Sequence, residues 1–172
     1  MKSELRVFVY GTLKRGFSNH RQYCTGVLRI CPARLRGKLF KLTAEIPVMT
    51  VADENILVHG TESIVADIEA QERFESLLKS KGVAGTARSG GPEWGKIQGE
   101  LHIFDDPQTR LPLLDSLEEF RPGWASPYIR VLVYITLPGD SQTSAWTYIA
   151  GFDTASLEEY AGERWEEPGN RI

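Results

Sequence analysis

The sequence predicts an α+β protein built on a small mixed β-sheet that curves strongly or closes into a barrel, with helices packed outside it. Five segments are rich in β-branched and aromatic residues and are bounded by turn residues, which is typical of strands. Two of these segments contain or adjoin a glycine, Gly37 or Gly99. Glycine within a strand often marks a bend or a close backbone approach, so its repeated use favours a curved sheet.

The first strand is predicted at Leu5–Val9, because Leu-Arg-Val-Phe-Val has the composition of a buried strand. Four further segments share this enrichment. In chain order they are Arg36–Leu42, Ile97–Phe104, Ile129–Thr136 and Ser144–Ile149.

Three helices are predicted. Ile64–Lys81 spaces apolar residues among many charges, as an amphipathic helix does. Thr109–Phe120 begins at a threonine suited to an N-cap and carries Pro112 early, where proline is tolerated. The acidic segment Thr154–Ala161 is predicted to form a short C-terminal helix.

The 172 residues predict a single domain spanning 1–172. Within it, the region from about 52 to 93 differs in character, because its helix is followed by the glycine- and serine-rich segment Gly82–Pro92, predicted to be a loop. This region is too short and polar to form its own core. We therefore expect an insertion that decorates the barrel; the alternative is a lid over the site.

Composition limits the class of protein. The net charge of −3 gives no electrostatic basis for binding nucleic acid or an anionic membrane surface, so neither is expected as a partner. The N-terminus lacks the pattern of a signal peptide, and no apolar run has the length of a membrane span. We expect a cytoplasmic protein that binds a small molecule.

Cysteine and histidine spacing does not suggest a metal site. Cys24 and Cys31 do not form a CxxC motif, and His20, His59 and His102 are scattered along the chain. We therefore expect no metal and predict that the two cysteines are buried free thiols, with a disulfide as the alternative.

The first predicted strand runs directly into Tyr10-Gly11-Thr12-Leu13. Glycine there allows a sharp turn and a close approach to a ligand. Backbone N–H groups exposed at such a strand end can hold a small anionic or carbonyl group. The Lys14-Arg15 pair that follows is expected to face solvent.

After the Tyr10–Leu13 turn, Glu118 is the second candidate for a functional site. At about 100° per residue, the helical periodicity of Thr109–Phe120 places Glu118 on the same side as Leu111 and Leu114, whereas Glu119 faces the opposite, polar side. Two interpretations follow. Glu118 bends out at the helix end or pairs with Arg121 or Arg130, or it lines a cavity where desolvation raises its pKa toward values useful for general acid/base work.

Several short motifs occur in a fixed order. They are Tyr10-Gly11-Thr12-Leu13, Gly37-Lys38-Leu39-Phe40, Gly99-Glu100-Leu101, Leu114-Asp115-Ser116-Leu117-Glu118 and Tyr128-Ile129-Arg130. Together they resemble the γ-glutamylcyclotransferase-like family, and Lys14-Arg15-Gly16 with Asn19-His20 is similar to its γ-glutamylamine cyclotransferase branch. Each motif alone is weak, and their ordered combination is strong. Four features depart from the family pattern. The insertion at about 52–93 is longer than in compact members, Phe40 and His102 replace the usual tyrosines, and Glu119 stands where glycine is frequent.

The resemblance implies a mixed barrel with outer helices, in agreement with the predicted strands. It also implies an intramolecular aminolysis without a cofactor, in which the α-amine of a γ-glutamyl amide attacks its own γ-carbonyl and releases 5-oxoproline and an amine. The resemblance makes Glu118 the catalytic residue, which carries a proton from the α-ammonium to the leaving amine. The implied substrate-binding residues are Tyr10, Gly11, Thr12, Leu13 and Tyr128.

Alternatives remain open at this point. Tyr10 and Tyr128 are pocket residues or buried core tyrosines. Arg130 is expected to be the structural partner of a carboxylate, and Asp115, on the polar arc, to cap the helix or face solvent. Three functions remain open for the whole chain. It is an enzyme that cyclises γ-glutamyl amides, a non-catalytic small-ligand-binding module on the same scaffold, or a biosynthetic enzyme that removes a γ-glutamyl protecting group.

Overall fold

A computed structural model describes residues 3–43, 46–81 and 93–167. Within these ranges the strands are β1 (Leu5–Val9), β2 (Arg29–Lys41), β3 (Pro47–Thr50), β4 (Val58–His59), β5 (Gly95–Phe104), β6 (Tyr128–Thr136), β7 (Gln142–Ala150) and β8 (Glu158–Glu159). The helices are α1 (His20–Tyr23), α2 (Ile64–Lys81) and α3 (Pro107–Leu117), with a 3-10 turn at Asp53–Asn55.

Five strands close a mixed barrel in the order β2-β5-β1-β7-β6, and β6 pairs back onto β2. The pairing of β1 with β7 is parallel, and the other barrel pairings are antiparallel. Strands β3 and β8 pair with the second half of β2, and β4 pairs with β6. The predicted α+β fold with a strongly curved sheet is therefore confirmed.

The backbone of a neighbouring strand comes very close to two strand glycines, Gly99 and Gly37. A Cβ atom on Gly99 would lie 2.3 Å from the Val9 carbonyl oxygen, and one on Gly37 would lie 2.6 Å from the Thr50 carbonyl oxygen. Both distances are far below van der Waals contact, so neither position has room for a side chain. The sequence prediction of close backbone approaches at these strand glycines is thus confirmed.

The two faces of β1 bury two different apolar clusters. Phe8 packs with residues from every other barrel strand, including Leu35, Ile97, Val133 and Ala145, and this cluster fills the barrel. The opposite face of β1 packs against α3, chiefly through Leu111 and Leu114, and against Trp146 and Ile68 of the neighbouring elements. Because both faces are covered, all five residues of β1 are buried. The one charged residue, Arg6, donates from Nε to the Ser144 carbonyl at 2.9 Å.

Helix α2 has the predicted bounds and packs beside β1 and β7. Gln71 accepts a hydrogen bond from the Arg6 amide at 2.9 Å and donates one to the Glu4 carbonyl at 2.8 Å. The predicted loop Gly82–Pro92 lies outside the described residues. None of the helices in the described ranges is long and apolar enough to cross a membrane.

Helix α3 differs from its predicted bounds, Thr109–Phe120. It begins earlier, with Asp106 as the N-cap and Pro107 in the first turn, where proline lacks only an amide that would be unpaired anyway. It also ends earlier, at Leu117. Helical periodicity alone does not show where this helix stops.

The predicted helix Thr154–Ala161 is wrong. Glu158 and Glu159 instead form β8, which pairs with Lys41 and Phe40 of β2, and the Tyr160 amide donates to the Leu39 carbonyl at 2.7 Å. The long β2 strand offers unpaired backbone groups here, and pairing with them outweighs the helical tendency of an acidic segment. The short elements α1, β3 and β4 were not predicted either.

Candidate functional site

A cavity of about 340 Å³ opens where β1 ends, beside the start of β6, the ends of β7 and α3, and the segment before β3. It contains every predicted site residue. Its lining comprises Phe8, Val9, Tyr10, Gly11, Thr12, Leu13, Asn19, Leu42, Ile46, Pro47, Leu117, Glu118, Glu119, Pro127, Tyr128 and Tyr148.

The turn after β1 is held in shape by Asn19. The Asn19 side-chain amide donates to Thr12 Oγ1 at 2.8 Å, and its backbone amide donates to the Thr12 carbonyl at 3.0 Å. The Lys14 amide closes the turn on the Gly11 carbonyl at 3.1 Å. The amides of Gly11, Thr12 and Leu13 donate to no acceptor among the described residues. The turn therefore presents three available donors beside the cavity.

Gly11 is required for a reason that its sequence context does not show. A Cβ atom at this position would lie 2.8 Å from Cγ of Pro47, so the turn packs directly onto the proline ring. Gly11 does not have a positive φ angle. The close approach that the sequence suggested thus involves Pro47.

Glu118 reaches the cavity through the way in which α3 ends. The Phe120 amide donates to the Asp115 carbonyl at 2.8 Å and the Glu119 amide to the Ser116 carbonyl at 3.3 Å, which together form a Schellman motif. Glu118 is the C-cap residue of this motif, and Phe120 is buried beyond it. The motif turns the chain so that Glu118 faces the cavity.

The carboxyl group of Glu118 has no partner within the described part of the chain, in either hydrogen bonds or ion pairs. Neither Arg121 nor Arg130 forms an ion pair with this carboxyl group. The guanidinium of Arg130 binds Asp115 and Asp67 instead. Burial raises the pKa of Glu118 from 4.5 to about 7. The group can therefore exchange a proton near neutral pH.

Three tyrosines surround this carboxyl group, and each phenolic proton is already used in a hydrogen bond. Tyr10 donates to the Tyr148 carbonyl at 2.8 Å, and Tyr128 donates to the Pro47 carbonyl at 2.8 Å. Tyr148 donates to Asp115 Oδ1 at 2.7 Å. Burial raises the pKa of all three phenols, so they stay protonated. Tyr10 and Tyr128 are thus buried tyrosines that also line the cavity.

Tyr148 was missed by the sequence analysis. It lies in a predicted strand, but nothing local distinguishes it from a core residue. The side chain of Asp115 is also not simply solvated or capping, because it accepts from Tyr148 and from Arg130 Nε at 2.9 Å. The expectation that Arg130 is a structural partner of a carboxylate is confirmed.

Two further expectations are corrected or sharpened. Lys14 does not face solvent: its Nζ donates to the Trp165 carbonyl at 2.6 Å, and burial lowers its pKa to about 8. Phe40 and His102, where the resemblance leads us to expect tyrosines, do not line the cavity. The hydroxyl groups absent at these two positions therefore would not contact a ligand held there.

Glu119 occupies the position of the Schellman motif that favours glycine, with φ of 54°. Glu119→Gly is expected to raise the free energy of unfolding by about 0.5 to 1 kcal/mol, because glycine adopts this left-handed conformation without steric cost. Urea denaturation would measure the change. Glu119→Ala, the matched control, keeps the Cβ atom and should show no such gain; equal stability of the two variants would contradict the argument.

The structure also brings together three residues that the sequence spacing separated. The ligand atoms of His20, Cys24 and His102 lie within 4.8 Å of one another. Both cysteines are free, with Cys24 buried and Cys31 half-buried. The cluster lies behind the Tyr10–Leu13 turn, where His20 Nδ1 donates to the Leu13 carbonyl at 2.9 Å.

A second and larger cavity, of about 630 Å³, does not contain Glu118. Its basic lining residues are Lys14, Arg15, Arg34, Lys96 and Arg164. None of the residues predicted to act in catalysis or substrate binding lines it. Size alone therefore does not identify the site in this chain, and the smaller cavity is the candidate.

Comparisons with known proteins identify the fold and the family. YkqA from Bacillus subtilis superimposes with a TM-score of 0.52 at 17% identity over 94% of this chain, which spans 39% of the YkqA chain. An AIG2-like protein from Mus musculus superimposes with a TM-score of 0.51 at 20% identity, over 95% of this chain and 88% of the mouse chain. At such identities the likeness concerns the fold.

Sequence comparison is more specific. No curated protein sequence matches the chain. The model of the family described as "Gamma-glutamyl cyclotransferase, AIG2-like" matches residues 7–80 and 72–167. These two stretches include both the Tyr10–Leu13 turn and Glu118. Since they cover most of its length, the chain belongs to the AIG2-like gamma-glutamyl cyclotransferase family.

Proposed function

We propose that this chain is an enzyme that cyclises a γ-glutamyl amide, releasing 5-oxoproline and a free amine. Family membership supports a cyclotransferase-type function in general. The observation that carries the specific proposal is the unpaired carboxyl group of Glu118, which shares an apolar cavity with the three available amides of the Gly11–Leu13 turn. A proton carrier and a set of oxyanion donors are the two groups that this reaction needs.

Glu118 moves the proton. Its carboxylate accepts a proton from the α-ammonium of the substrate, and the freed amine attacks the γ-carbonyl carbon to close a five-membered ring. The protonated Glu118 then donates to the leaving nitrogen as the carbon–nitrogen bond of the amide breaks, and the ring nitrogen, which still carries two protons after the attack, releases one of them to solvent. With a pKa of about 7, the group is suited to both steps. General acid/base catalysis of this kind contributes about 10²- to 10⁴-fold.

The turn stabilises negative charge. In the tetrahedral intermediate, the former γ-carbonyl oxygen carries a negative charge, and the amides of Gly11, Thr12 and Leu13 are donors for it or for the α-carboxylate of the substrate. Asn19 holds these amides in place before the substrate binds. One such donor typically contributes about 10²- to 10³-fold.

The tyrosines form the walls of the cavity. The protons of Tyr10 and Tyr128 are engaged with backbone carbonyls, so neither hydroxyl donates to the substrate. Nucleophile and carbonyl belong to the same molecule, so holding the substrate folded contributes much of the remaining rate enhancement.

The pH dependence follows from Glu118. We expect kcat/KM to rise with pH through about 7, since only the ionised carboxylate can accept the ammonium proton. A pH–rate profile with a γ-glutamylamine substrate would measure this. A rate independent of pH across that range would argue against Glu118 as the base.

The substrate class is tested with a panel of γ-glutamyl amines, γ-glutamyl amino acids and glutathione, with 5-oxoproline measured by mass spectrometry. Release of 5-oxoproline from one class identifies the leaving amine. Saturable binding without release would instead favour the non-catalytic binding module. Glu118→Gln, run in parallel, separates turnover by this chain from turnover by a contaminating enzyme.

A further inference from the structure

Three side chains with metal-ligand chemistry converge between α1 and β5. His20 begins α1, and Cys24 is the C-cap residue that follows the helix and donates its amide to the His20 carbonyl. His102 lies on β5, and its ring meets that of His20 edge-on at 5.4 Å between centroids. The ligand atoms of all three residues lie within 4.8 Å of one another.

The hydrogen bonds leave one bare nitrogen on each histidine. A carbonyl oxygen can only accept, so Nδ1 of His20 donates to Leu13 at 2.9 Å, and Nε2 keeps its lone pair. His102 is fully buried, and its Nε2 bonds to Glu100 Oε2 at 2.8 Å. The Nδ1 atom of His102 has no hydrogen-bond partner in the described part of the chain.

An orphaned buried nitrogen of this kind is rare and requires an explanation. We propose that His20, Cys24 and His102 form a binding site for a soft transition-metal ion of the Zn²⁺ type. Two imidazoles and one thiolate are ligands that such an ion prefers over the oxygen ligands of magnesium and calcium. A fourth position would be completed by water or another exogenous ligand.

The distances require only a small adjustment. Ligand atoms around a tetrahedral zinc ion lie about 3.3–3.6 Å apart, given metal–ligand bonds of about 2.0–2.3 Å. The three groups offer ligand atoms within 4.8 Å of one another, so these atoms would have to approach each other by at most about 1.5 Å. The Cys24 thiol, which donates weakly to the Leu13 carbonyl at 3.7 Å, would release its proton to solvent on binding the ion.

The surroundings have the features of an outer shell. Each histidine donates its other N–H group, His20 to a carbonyl and His102 to the Glu100 carboxylate, as metal-ligating histidines usually do. The Cys24 thiolate and the Glu100 carboxylate would together balance a charge of +2. The nearby guanidinium of Arg110 is already held by Asp106 and by the Thr25 carbonyl.

Metal binding would also bear on the candidate active site. His20 and Cys24 both bond to the carbonyl of Leu13, the last residue of the turn. An ion that fixes α1 against β5 would therefore fix this end of the turn. This consequence rests on the proposed function, whereas the metal site itself does not.

The test uses the metal-free 172-residue chain, titrated with Co²⁺ and then with Zn²⁺. We expect one equivalent of Co²⁺ to give the charge-transfer absorption of a cobalt–thiolate bond, and one equivalent of Zn²⁺ to abolish it. About one proton should be released per ion bound. Absence of the thiolate band, or of saturable Zn²⁺ binding, would overturn the proposal whether or not the protein cyclises γ-glutamyl amides.

Variants assign the ligands. Cys24→Ser should lose the thiolate band, and Cys31→Ser, the matched control, should retain it. His20→Gln should weaken Zn²⁺ binding at least about tenfold, and Glu100→Gln about 10- to 100-fold through the outer shell. His59→Gln is the control for His20. A thiolate band that survives Cys24→Ser would place the ion elsewhere. Equal losses of Zn²⁺ affinity in His20→Gln and His59→Gln would do the same.

Discussion

Replacing Glu118 by glutamine is expected to lower the release of 5-oxoproline by at least about 10³-fold, because in the proposed reaction this one residue performs both proton transfers. Glutamine retains the size of the side chain but cannot accept the proton of the α-ammonium group. The turn amides remain, so substrate binding should change much less than kcat. Steady-state kinetics with mass-spectrometric detection would measure both quantities.

The same variant should fold at least as well as the parent chain. The pKa of Glu118 is about 7 in the folded protein and 4.5 without burial, so the folded state binds the extra proton between these values. The contribution of Glu118 to stability therefore falls as pH rises from about 4.5 to 7. At pH 8 we expect Glu118→Gln to be more stable by on the order of 2 kcal/mol, a difference that disappears below pH 4.5.

Glu119→Gln provides the control for Glu118. Glu119 is adjacent, also lines the cavity and is exposed, yet it is not desolvated in the way Glu118 is. Its replacement should change the rate by less than about threefold, the usual scale of surface changes. Normal turnover by Glu118→Gln would exclude Glu118 as the proton carrier. A large loss of turnover in Glu119→Gln would assign that role to Glu119 instead.

The sequence predicted the parts of the fold that depend on local composition. Four barrel strands were predicted close to their bounds, because each is buried on at least one face and carries a largely apolar or alternating pattern. Of β2, only the second half was predicted, at Arg36–Leu42, and residues 29–35, which pair with β5 in the barrel, were missed. The bounds of helix α2 were predicted correctly, because a helix of eighteen residues repeats its apolar pattern often enough to be recognised. Strand β8 was missed because its conformation is set by the open edge of β2, whose paired residue Lys41 lies 117 positions before Glu158 in the chain.

The candidate site shows the same division. Glu118 and the Tyr10–Leu13 turn carry recognisable motifs, and the structure does bring them to one cavity. The route by which Glu118 gets there is a helix end at Leu117, which the helical periodicity did not reveal. Tyr148 could not be singled out, because its role depends on neighbours distant in the sequence. The metal-ligand cluster is likewise a product of folding, joining α1 to β5.

Arg130→Met is expected to cost about 3–5 kcal/mol of folding free energy, the usual result of breaking a buried ion pair from one side. Arg130 is 1% exposed. It donates to Asp67 at 2.8 Å and to Asp115 at 2.9 Å, and it stacks over Trp146 at 5.0 Å. Asp67 belongs to α2 and Asp115 to α3, so one guanidinium joins both helices to the barrel.

Urea denaturation of Arg130→Met would measure the loss. Arg29→Met is the matched control, because Arg29 forms an exposed pair with Glu4 at 3.5 Å and such pairs contribute less than about 1 kcal/mol. Arg130→Lys should recover only part of the stability, since an ammonium group cannot bind both carboxylates in the fork geometry of a guanidinium. Equal effects in Arg130→Met and Arg29→Met would contradict the role assigned to the buried pair.

The pH dependence of the folding free energy lost in Arg130→Met distinguishes a missing charge from a packing defect. Without Arg130, the carboxylates of Asp67 and Asp115 would be buried beside an apolar side chain, and burial already raises the pKa of Asp115. The folded-state pKa of Asp115 would then exceed its unfolded value by more, so the penalty should grow as pH rises and shrink as Asp115 becomes protonated. Adding Asp115→Asn to Arg130→Met should reduce the penalty at neutral pH, whereas a cavity left by poor packing would cost the same at every pH.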